Sequence, residues 1–434
     1  MMERVGPRRP GFLQDAGESL LARGGVFTTG VLVSILTARV LGPEGRGQWT
    51  LALLIPFFLG LLGDMGLGIS GIALLRESPR RASEIVTAVL LIGASGSALS
   101  VVVFWALYPL GLDALFAGVP LSVVAVAAAA AIPSTVAAHL RSCLIMLGDL
   151  RAANVLLLVH SGLMFILLAL VFGFVSADVF VAIVVYGVVL IIGVLAGVWR
   201  IVSQHAVRLR LDRSVLRPLF ALGWRAHVAT IGLFLCFRAD LSLVNYWVGI
   251  KGAGYYSVAL SLSEALRGVP EAVQASLLSR LSASRGQPAL DLTAVAARVS
   301  FTVTAALAIT AAVIAVWLIP ALFGRGFSRA VAPFWLLLPG SLALAVSYVV
   351  GSPLMLHGYV STNAAAAWAG FATLVVVDAF LIPRYAIEGA ALGSSLSYAV
   401  MTIWQASVFC ARFGVSARQL VVPRSGEWRI LLRG

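Results

Sequence analysis

The sequence predicts an all-α polytopic membrane protein, and two observations carry that prediction. Hydrophobic residues make up 60% of the 434 residues and charged residues only 11%, whereas soluble domains carry about 25% charged residues. Continuously apolar runs recur along the whole chain, with the length that an α-helix needs to cross the hydrocarbon core. The strands of a membrane β-barrel would instead alternate polar and apolar residues.

Twelve apolar runs are predicted to be membrane-spanning helices. Short segments that contain Gly, Pro or charged residues separate them. The third, fourth, ninth and tenth runs are long enough to tilt in the bilayer. In chain order the runs cover residues 22–41, 47–72, 84–110, 119–147, 152–175, 177–200, 217–247, 253–279, 293–322, 330–356, 362–382 and 387–411.

The basic residues predict which side of the membrane each loop occupies. Of the 31 Lys and Arg residues, 22 lie near the N-terminus, near the ends of even-numbered spans, or in the C-terminal tail, and six lie in the opposite loops. This excess predicts that both termini are cytoplasmic in a bacterial inner membrane. It also accounts for the net charge of +13 without a nucleic-acid partner, because basic loops attract anionic lipids.

The twelve spans divide into two predicted lobes of six helices. Residues 22–200 form the N-terminal lobe and residues 217–411 the C-terminal lobe, joined by a basic cytoplasmic linker at 201–216. An amphipathic cytoplasmic segment, 1–21, precedes the first lobe, and a basic tail, 412–434, follows the second.

A repeated motif relates the two lobes. Residues 41–53 read LGPEGRGQWTLAL and residues 248–260 read VGIKGAGYYSVAL, with five identities in thirteen positions. The copies open spans two and eight, and a shift of six spans keeps the orientation, so the lobes are predicted to be parallel repeats. The glycines are expected to form tight outer turns that need a positive φ. Doubled lobes of this kind are typical of carriers, whose two bundles rock about a central cavity.

Three stretches resemble a known family. They are ARVLGPEGRGQWTLAL (38–53), LLGDMGLGISGIALLRE (61–77) and LIPRYAIEGAALGSSLSYAV (381–400). They are similar to polysaccharide flippases of the Wzx type, within the multidrug/oligosaccharidyl-lipid/polysaccharide exporter superfamily. The resemblance implies a MATE-like fold of twelve spans in two six-helix lobes. It also implies translocation of a polyprenyl-pyrophosphate-linked oligosaccharide from the cytoplasmic to the outer leaflet.

The chain departs from relatives in that superfamily at two points. Lipid II flippases usually carry fourteen spans, and the twelve predicted here favour an O-antigen, capsule or exopolysaccharide unit instead. Position 378 is Asp, where the family tends to show Asn.

Six charged residues inside spans seven and eight are the candidate substrate and ion sites. Each costs roughly 3 kcal/mol near the bilayer centre, so they are expected to face protein or a cavity. The six are Arg225, Arg238, Asp240, Glu264, Arg267 and Glu271. The spacing of Glu264, Arg267 and Glu271 predicts that these three share one helical face.

Two interpretations of this cluster stay open. The arginines can bind pyrophosphate, because a guanidinium group grips phosphate oxygens in pairs, while Asp240, Glu264 or Glu271 senses protons or cations. Alternatively, the charges can pair with one another and only lock the two spans together. The resemblance favours Arg267 as a phosphate ligand, because flippases of this superfamily place arginines on span eight.

Asp64 is a further candidate, for ion coupling or gating. It lies in LGDMGLG on span two, corresponds to Glu271 under the repeat, and matches an Asp that the family commonly shows. The alternative is a hydrogen bond at a helix end, or between the lobes, near the cytoplasmic face.

The predicted function is therefore that of a flippase without enzymatic chemistry. The glycine turns lack the GKS/T of a phosphate-binding loop, and the His and Cys residues lack metal-site spacing, so no cofactor or metal is expected. The expected partners are the lipid-linked oligosaccharide, membrane lipids, a coupling proton or sodium ion, and glycan polymerases or glycosyltransferases. A multidrug cation antiporter of the same superfamily is the alternative. A membrane enzyme of glycan assembly fits less well, because the outer loops are short.

Overall fold

The computed structural model describes residues 12–205, 207, 210–281 and 287–422, without the side chains of 12–20, 225, 279–280 and 287–289. The outer parts of the predicted N-terminal segment and C-terminal tail lie outside these ranges. The described helices in chain order are α1 (Phe12–Asp64), α2 (Leu67–Glu77), α3 (Ala82–Leu107), α4 (Leu121–Ala129), α5 (Ala131–Met146), α6 (Leu150–Phe174), α7 (Val179–His205), α8 (Leu216–Val248), α9 (Ile250–Ala265), α10 (Gly268–Leu281), α11 (Gln287–Phe323), α12 (Val331–Leu356), α13 (Val360–Phe413) and α14 (Ala417–Val421).

The predicted all-α membrane fold is confirmed. Nine helical segments of the described chain are long and apolar enough to cross a membrane. Two of them, Leu21–Glu77 and Val360–Phe413, have 57 and 54 residues, more than twice the length of one crossing. They bend sharply at Gly42 (φ 65°) and Ala386 (φ 49°), so each contains two predicted spans. The predicted eighth span corresponds to the shorter helices α9 and α10. Taken together, the described helices are consistent with twelve spans.

The chain packs into two compact units, and unit 1 contains most of the N-terminal helices. It comprises the described part of Met1–Leu36 together with Ile55–Trp105 and Leu121–Trp224. Leu67, Ile85 and Leu144 from α2, α3 and α5 are fully buried in its apolar core. Val215 from the predicted linker lies in the same core, and the Arg81 guanidinium pairs with Asp212 at 2.7 Å. The described part of the linker is thus fixed to unit 1.

A polar cluster fastens the start of α6 to the end of α7 in unit 1. Asp149 Oδ2 lies 2.8 Å from Arg200 Nε and 3.1 Å from His205 Nε2, and Asp149 Oδ1 accepts from the Ala152 N–H at 3.1 Å. Burial alone would raise the pKa of Asp149. Hydrogen bonds from Arg200, Ala152 and His205 outweigh burial and hold that pKa below its usual value.

Unit 2 contains the C-terminal helices and two segments from earlier in the chain. It comprises Thr37–Leu54, Ala106–Pro120 and the described part of Arg225–Gly434. Its central helix is α12, which packs against α9, α10, α11 and α13. Small residues allow this close packing: a methyl group at Gly340 on α12 would lie 2.7 Å from Ser395 Cα on α13.

The two copies of the repeated motif contact each other within unit 2. Gly42 and Gly249 adopt φ values of 65° and 89°, as expected for glycine turns. A methyl group at Gly47 would lie 2.1 Å from the Ile250 carbonyl oxygen, and one at Gly254 would lie 1.9 Å from the Pro43 carbonyl oxygen. Pro43 and Ile250 are equivalent under the repeat, so each copy presses its glycine against the same backbone position of the other.

Polar contacts tie the two early segments of unit 2, Thr37–Leu54 and Ala106–Pro120, to its C-terminal helices. The buried Arg46 donates to Thr37 Oγ1 at 2.6 Å and to Ser257 Oγ at 3.2 Å. Asn245 Nδ2 donates to the carbonyl oxygens of Leu115 and Ala117 at 3.1 and 3.0 Å. Segments that precede α4 therefore pack with the C-terminal helices, whereas the predicted lobes divide the chain at 201–216. The lobe boundaries stay a prediction.

Candidate functional site

Two arginines and a glutamate meet where α8 passes the end of α9. Arg238 lies on α8, Glu264 in the last turn of α9, and Arg267 in the turn before α10. Arg238 Nη1 and Arg267 Nη2 lie 2.9 Å and 2.6 Å from Glu264 Oε1. Arg238 Nη2 also donates a hydrogen bond of 3.2 Å to Glu264 Oε2. One carboxylate therefore serves two guanidinium groups.

The turn that carries Arg267 interrupts the predicted eighth span. α9 ends at Ala265 and α10 begins at Gly268. Pro270 has no N–H to donate within a continuous helix, but a proline is tolerated in a first helical turn. Just before Pro270, the Arg267 N–H donates to the Glu264 carbonyl oxygen, three residues earlier, at 3.0 Å, so the chain turns more tightly than in an α-helix. The span predicted as one helix is thus two, and the break places Arg267 at a helix junction.

The Arg267 guanidinium is held by an aromatic ring as well as by charge. Its central carbon lies 5.0 Å from the centroid of the Phe237 ring, a cation–π distance. The side chains of Arg267 and Arg238 are 14% and 33% exposed. Glu264 Oε1 pairs with both by charge but makes no aligned hydrogen bond within the described structure. Phosphate oxygens in the right positions can therefore compete for these N–H groups.

A cavity of about 270 Å³ adjoins the two arginines. Its walls come from α8, α10, α12 and the turn of Arg267. Glu271 on α10 is exposed, and its charge acts on Arg267. Tyr348 on α12 lines the same cavity, close enough to Glu271 for the two groups to interact. The lining residues are Thr230, Leu233, Phe234, Phe237, Arg238, Arg267, Glu271 and Tyr348.

Asp240 lies apart from the arginine cluster, although it is only two residues from Arg238. Residues two apart on a helix are turned about 200° from each other and do not share a face. Asp240 is fully buried and accepts hydrogen bonds from Tyr256 Oη at 2.6 Å and Ser394 Oγ at 2.8 Å. The structure thus brings Arg238, Glu264, Arg267 and Glu271 together. Asp240 makes its hydrogen bonds to other residues, although the charge of Arg238 acts on it.

Asp378 on α13 is the acidic neighbour of Asp240 and was not predicted as a site residue. It is fully buried, and neither carboxylate oxygen has a hydrogen-bond partner among the described residues. The charge of Asp240 acts on it. A methyl group at Gly393 would lie 1.9 Å from Asp378 Oδ1, so the carboxyl group packs directly on that glycine. An acid inside span eleven, where the family tends to show Asn, was the signal that could have identified it.

Asp64 and His139 form a pair in unit 1. His139 Nδ1 lies 3.5 Å from Asp64 Oδ1. Asp64 ends α1 and accepts from the Gly66 N–H at 3.1 Å, which is the helix-end hydrogen bond considered from the sequence. His139 is buried, and its Nε2 atom has no partner in the described part of the chain. The remaining candidate, Arg225, lies on α8, and its side chain is outside the described residues.

A family model identifies the chain. Residues 12–278, more than half of the sequence, match the family described as polysaccharide biosynthesis protein. The chain belongs to the polysaccharide biosynthesis protein family. The matched part of the chain includes Asp64, Arg238, Glu264 and Arg267, whereas Asp378 lies beyond it.

Several solved structures share the fold of this chain. An inward-facing MATE multidrug resistance transporter of the MOP superfamily is 14% identical over 90% of this chain and 96% of its own, with a TM-score of 0.69. Lipid II flippase MurJ, in an inward closed conformation, is 14% identical over 93% and 88%, with a TM-score of 0.70. A mutant of the Vibrio cholerae MATE transporter VcmN is 16% identical over 94% and 98%, with a TM-score of 0.62. No curated protein sequence matches the chain significantly.

The family match confirms the predicted resemblance to proteins of polysaccharide biosynthesis, and the solved structures confirm the predicted MATE-like fold. The chain is a multi-pass membrane protein with the fold of these solved transporters and this flippase. The solved proteins named above are transporters and a flippase.

Proposed function

We propose that the chain is a flippase that carries a polyprenyl-pyrophosphate-linked oligosaccharide from the cytoplasmic to the outer leaflet of a bacterial inner membrane by alternating access. The observation that supports this most is the pair Arg238 and Arg267, which share Glu264 beside a cavity in unit 2. Arginines inside a membrane-spanning unit are costly, and a pyrophosphate gives them a function. The distribution of basic loops supports cytoplasmic termini.

The charges of the cluster suit the binding and release of an anion, because two arginines share one glutamate. Two guanidinium groups contact one carboxylate directly, and the second acidic group, Glu271, is exposed. A bound pyrophosphate would add hydrogen bonds to both arginines, and hydrogen bonds that involve charged groups are worth about 1.5–3 kcal/mol each. These hydrogen bonds to pyrophosphate would offset the loss of the ion pairs to Glu264 Oε1, an oxygen that is poorly aligned with its donors.

Replacing the arginines tests the phosphate role. In proteoliposomes, Arg238→Ala and Arg267→Ala should each weaken binding of polyprenyl pyrophosphate by roughly 10- to 100-fold and slow its flipping. Arg384→Ala is the matched control, because Arg384 is exposed and its hydrogen bond goes to the Phe380 carbonyl of its own helix. Unchanged binding and transport in both variants, at equal protein levels, would contradict the proposal.

Replacing Glu264 separates substrate binding from mutual locking. In Glu264→Gln both arginines lose their shared counter-charge, so polyprenyl pyrophosphate should bind more tightly than to the wild type. If the cluster only locks α8 to α9, the same variant should lower the unfolding temperature and leave lipid binding unchanged.

We propose that Asp240 and Asp378 couple transport to a proton or sodium gradient. Two buried carboxylates whose charges interact are costly. Hydrogen bonds and the charge of Arg238 compensate Asp240 in part, whereas Asp378 has no hydrogen-bond partner among the described residues, and a proton or a small cation would compensate it. Asp240→Asn and Asp378→Asn should make flipping independent of the gradient that drives the wild type. Wild-type rates that survive collapse of both gradients would remove this proposal. Asp64 and Glu271 remain candidates for gating.

A multidrug cation antiporter is the second candidate, because MATE transporters share the fold. A site for cationic drugs is expected to be dominated by carboxylates and aromatic rings. The cavity here has two arginines and one exposed glutamate in its wall, which favours an anionic substrate. Drug-resistance profiles of cells with and without the protein distinguish the two functions.

A further inference from the structure

A second cavity, of about 230 Å³, lies beside the arginine cavity in unit 2. Thr230, Leu233, Phe237 and Tyr348 line both cavities, so the two spaces are neighbours with common walls. Drug-sized ligands occupy pockets of about 300–1,000 Å³. A space slightly smaller than this range suits a single ring-sized group rather than a whole oligosaccharide.

A chain of neutral hydrogen-bonding groups runs along the wall of this second cavity. Ser347 Oγ donates to Gln405 Oε1 at 2.5 Å, and Gln405 Nε2 donates to Asn363 Oδ1 at 3.1 Å. Asn363 Nδ2 donates to the Gly351 carbonyl oxygen at 2.9 Å. On another wall, Gln274 Nε2 donates to Ser352 Oγ at 2.9 Å. Three helices, α10, α12 and α13, supply these groups.

The amides keep hydrogen-bonding capacity for a ligand. A side-chain amide has two N–H donors and an oxygen with two lone pairs. In the described contacts, Gln405 and Asn363 each use one N–H and one lone pair. Gln274 uses one N–H. Each amide can therefore both donate to and accept from a neighbouring hydroxyl group.

The described wall of the second cavity carries no charged side chain. Phe237, Leu233, Met355 and Met401 contribute apolar surface to the same cavity as the amides and hydroxyls. A neutral ligand with hydroxyl groups on its edge and C–H groups on its faces matches this lining, and a sugar ring is such a ligand. In a glycan linked to lipid pyrophosphate the first sugar is bonded to the phosphate, so a sugar subsite has to adjoin the phosphate subsite.

We infer that the second cavity is a sugar subsite that holds the first sugar of a lipid-linked glycan while Arg238 and Arg267 hold its pyrophosphate. This inference rests on the proposed function. It assigns specificity for the sugar to Gln274, Asn363 and Gln405, and assigns affinity for the anion to the arginines. The second cavity thus distinguishes a glycosylated carrier from the bare carrier lipid.

Binding to the full-length protein in lipid nanodiscs tests the sugar subsite. The probes are polyprenyl pyrophosphate alone, the same lipid with one neutral hexose, and the same lipid with one N-acetylhexosamine. The variants are Gln405→Leu on α13 and Gln274→Leu on α10, so that one remains if the other is not recovered. Thr402→Val is the matched control on α13, because its hydroxyl is buried and bonds only to the Tyr398 carbonyl of its own helix.

The wild type should bind at least one glycosylated lipid more tightly than the bare lipid. Gln405→Leu and Gln274→Leu should weaken binding of that glycosylated lipid about 3- to 10-fold, the effect of one neutral hydrogen bond, and leave the bare lipid unaffected. The Thr402→Val control should keep the wild-type preference.

Two results overturn the inference. One is a wild type that does not discriminate among the three lipids. The other is a sugar preference that survives in both variants while their unfolding temperature falls, which would mean that the amides only join helices. Either result, together with arginine-dependent binding of the bare lipid, leaves the proposed function standing. A wild type that binds none of the lipids overturns both.

Discussion

A methyl group at Gly254 should destabilise the protein more than its size suggests. In Gly254→Ala the new carbon would lie 1.9 Å from the Pro43 carbonyl oxygen, whereas ordinary contacts begin near 3.4 Å. The two segments therefore have to separate by about 1.5 Å. The obstructing atom belongs to the backbone of a turn, so it cannot rotate away as a side chain can.

The free energy of this change follows from the surrounding packing. Trp49 and Tyr256, on either side of the contact, are at most 2% exposed, and separation of the segments would loosen both. Overpacking of a close-packed interior costs about 1–3 kcal/mol, and a clash with backbone places Gly254→Ala near the upper end. Gly47→Ala meets the Ile250 carbonyl oxygen at 2.1 Å and should cost a similar amount.

Thermal unfolding of purified variants in detergent measures the effect. Gly254→Ala and Gly47→Ala should unfold at lower temperature than the wild type, and the double variant should lose less than the sum, because the first methyl group already separates the segments. Gly30→Ala is the control: it lies on the same helix α1 as Gly47, and no atom lies within 4 Å of the added carbon. Equal unfolding temperatures for Gly254→Ala and Gly30→Ala would refute the close contact.

Three other sites give predictions from unfolding and hydrogen exchange. The folded protein lowers the pKa of Asp149. This carboxylate therefore stabilises the fold above its usual pKa of about 3.9, and its contribution is lost as pH falls through the lowered value. Asp149→Asn should lose less stability than the wild type between about pH 5 and pH 3. Asp378→Val should raise stability by roughly 1 kcal/mol or more, because it removes a buried carboxyl group without a described partner; a lower unfolding temperature would mean that Asp378 has one. Asn245→Ala should speed amide exchange in the segment 112–120, because two carbonyl groups there lose their donor; unchanged exchange would show that other contacts hold it.

The sequence was sufficient for the fold class because hydropathy and the repeat both act over long stretches. The positive φ of Gly42 and Gly249 agrees with the predicted glycine turns. Gly47 and Gly254, repeated in the same motif, have no positive φ and instead allow close packing, which the sequence pattern did not distinguish from a turn. The break before α10 had a local signal in Pro270, but the apolar run around it concealed the helix junction.

The composition of the candidate site was predictable only where neighbouring positions decide it. Glu264 and Arg267 contact each other at the spacing of three that the sequence shows. The same helical geometry turns Asp240 away from Arg238, because residues two apart on a helix do not share a face. The spacing alone therefore predicts that the charges of span seven do not form one group. Asp378, Gln405 and Asn363 approach neighbours that are far away in the sequence, either across the bend of α13 or on other helices. No local pattern indicates which polar residues will meet in this way.

The contact between Gly47 and Gly254 also bears on how such a chain could have arisen. If the two halves descend from a duplicated gene, the ancestral half-length protein would have made this contact across the symmetry axis of a homodimer, with one glycine facing the same turn in its twin. After fusion, a substitution in either copy would still strike the backbone of the other. Selection would then hold both codons at glycine, even while the rest of the halves diverged.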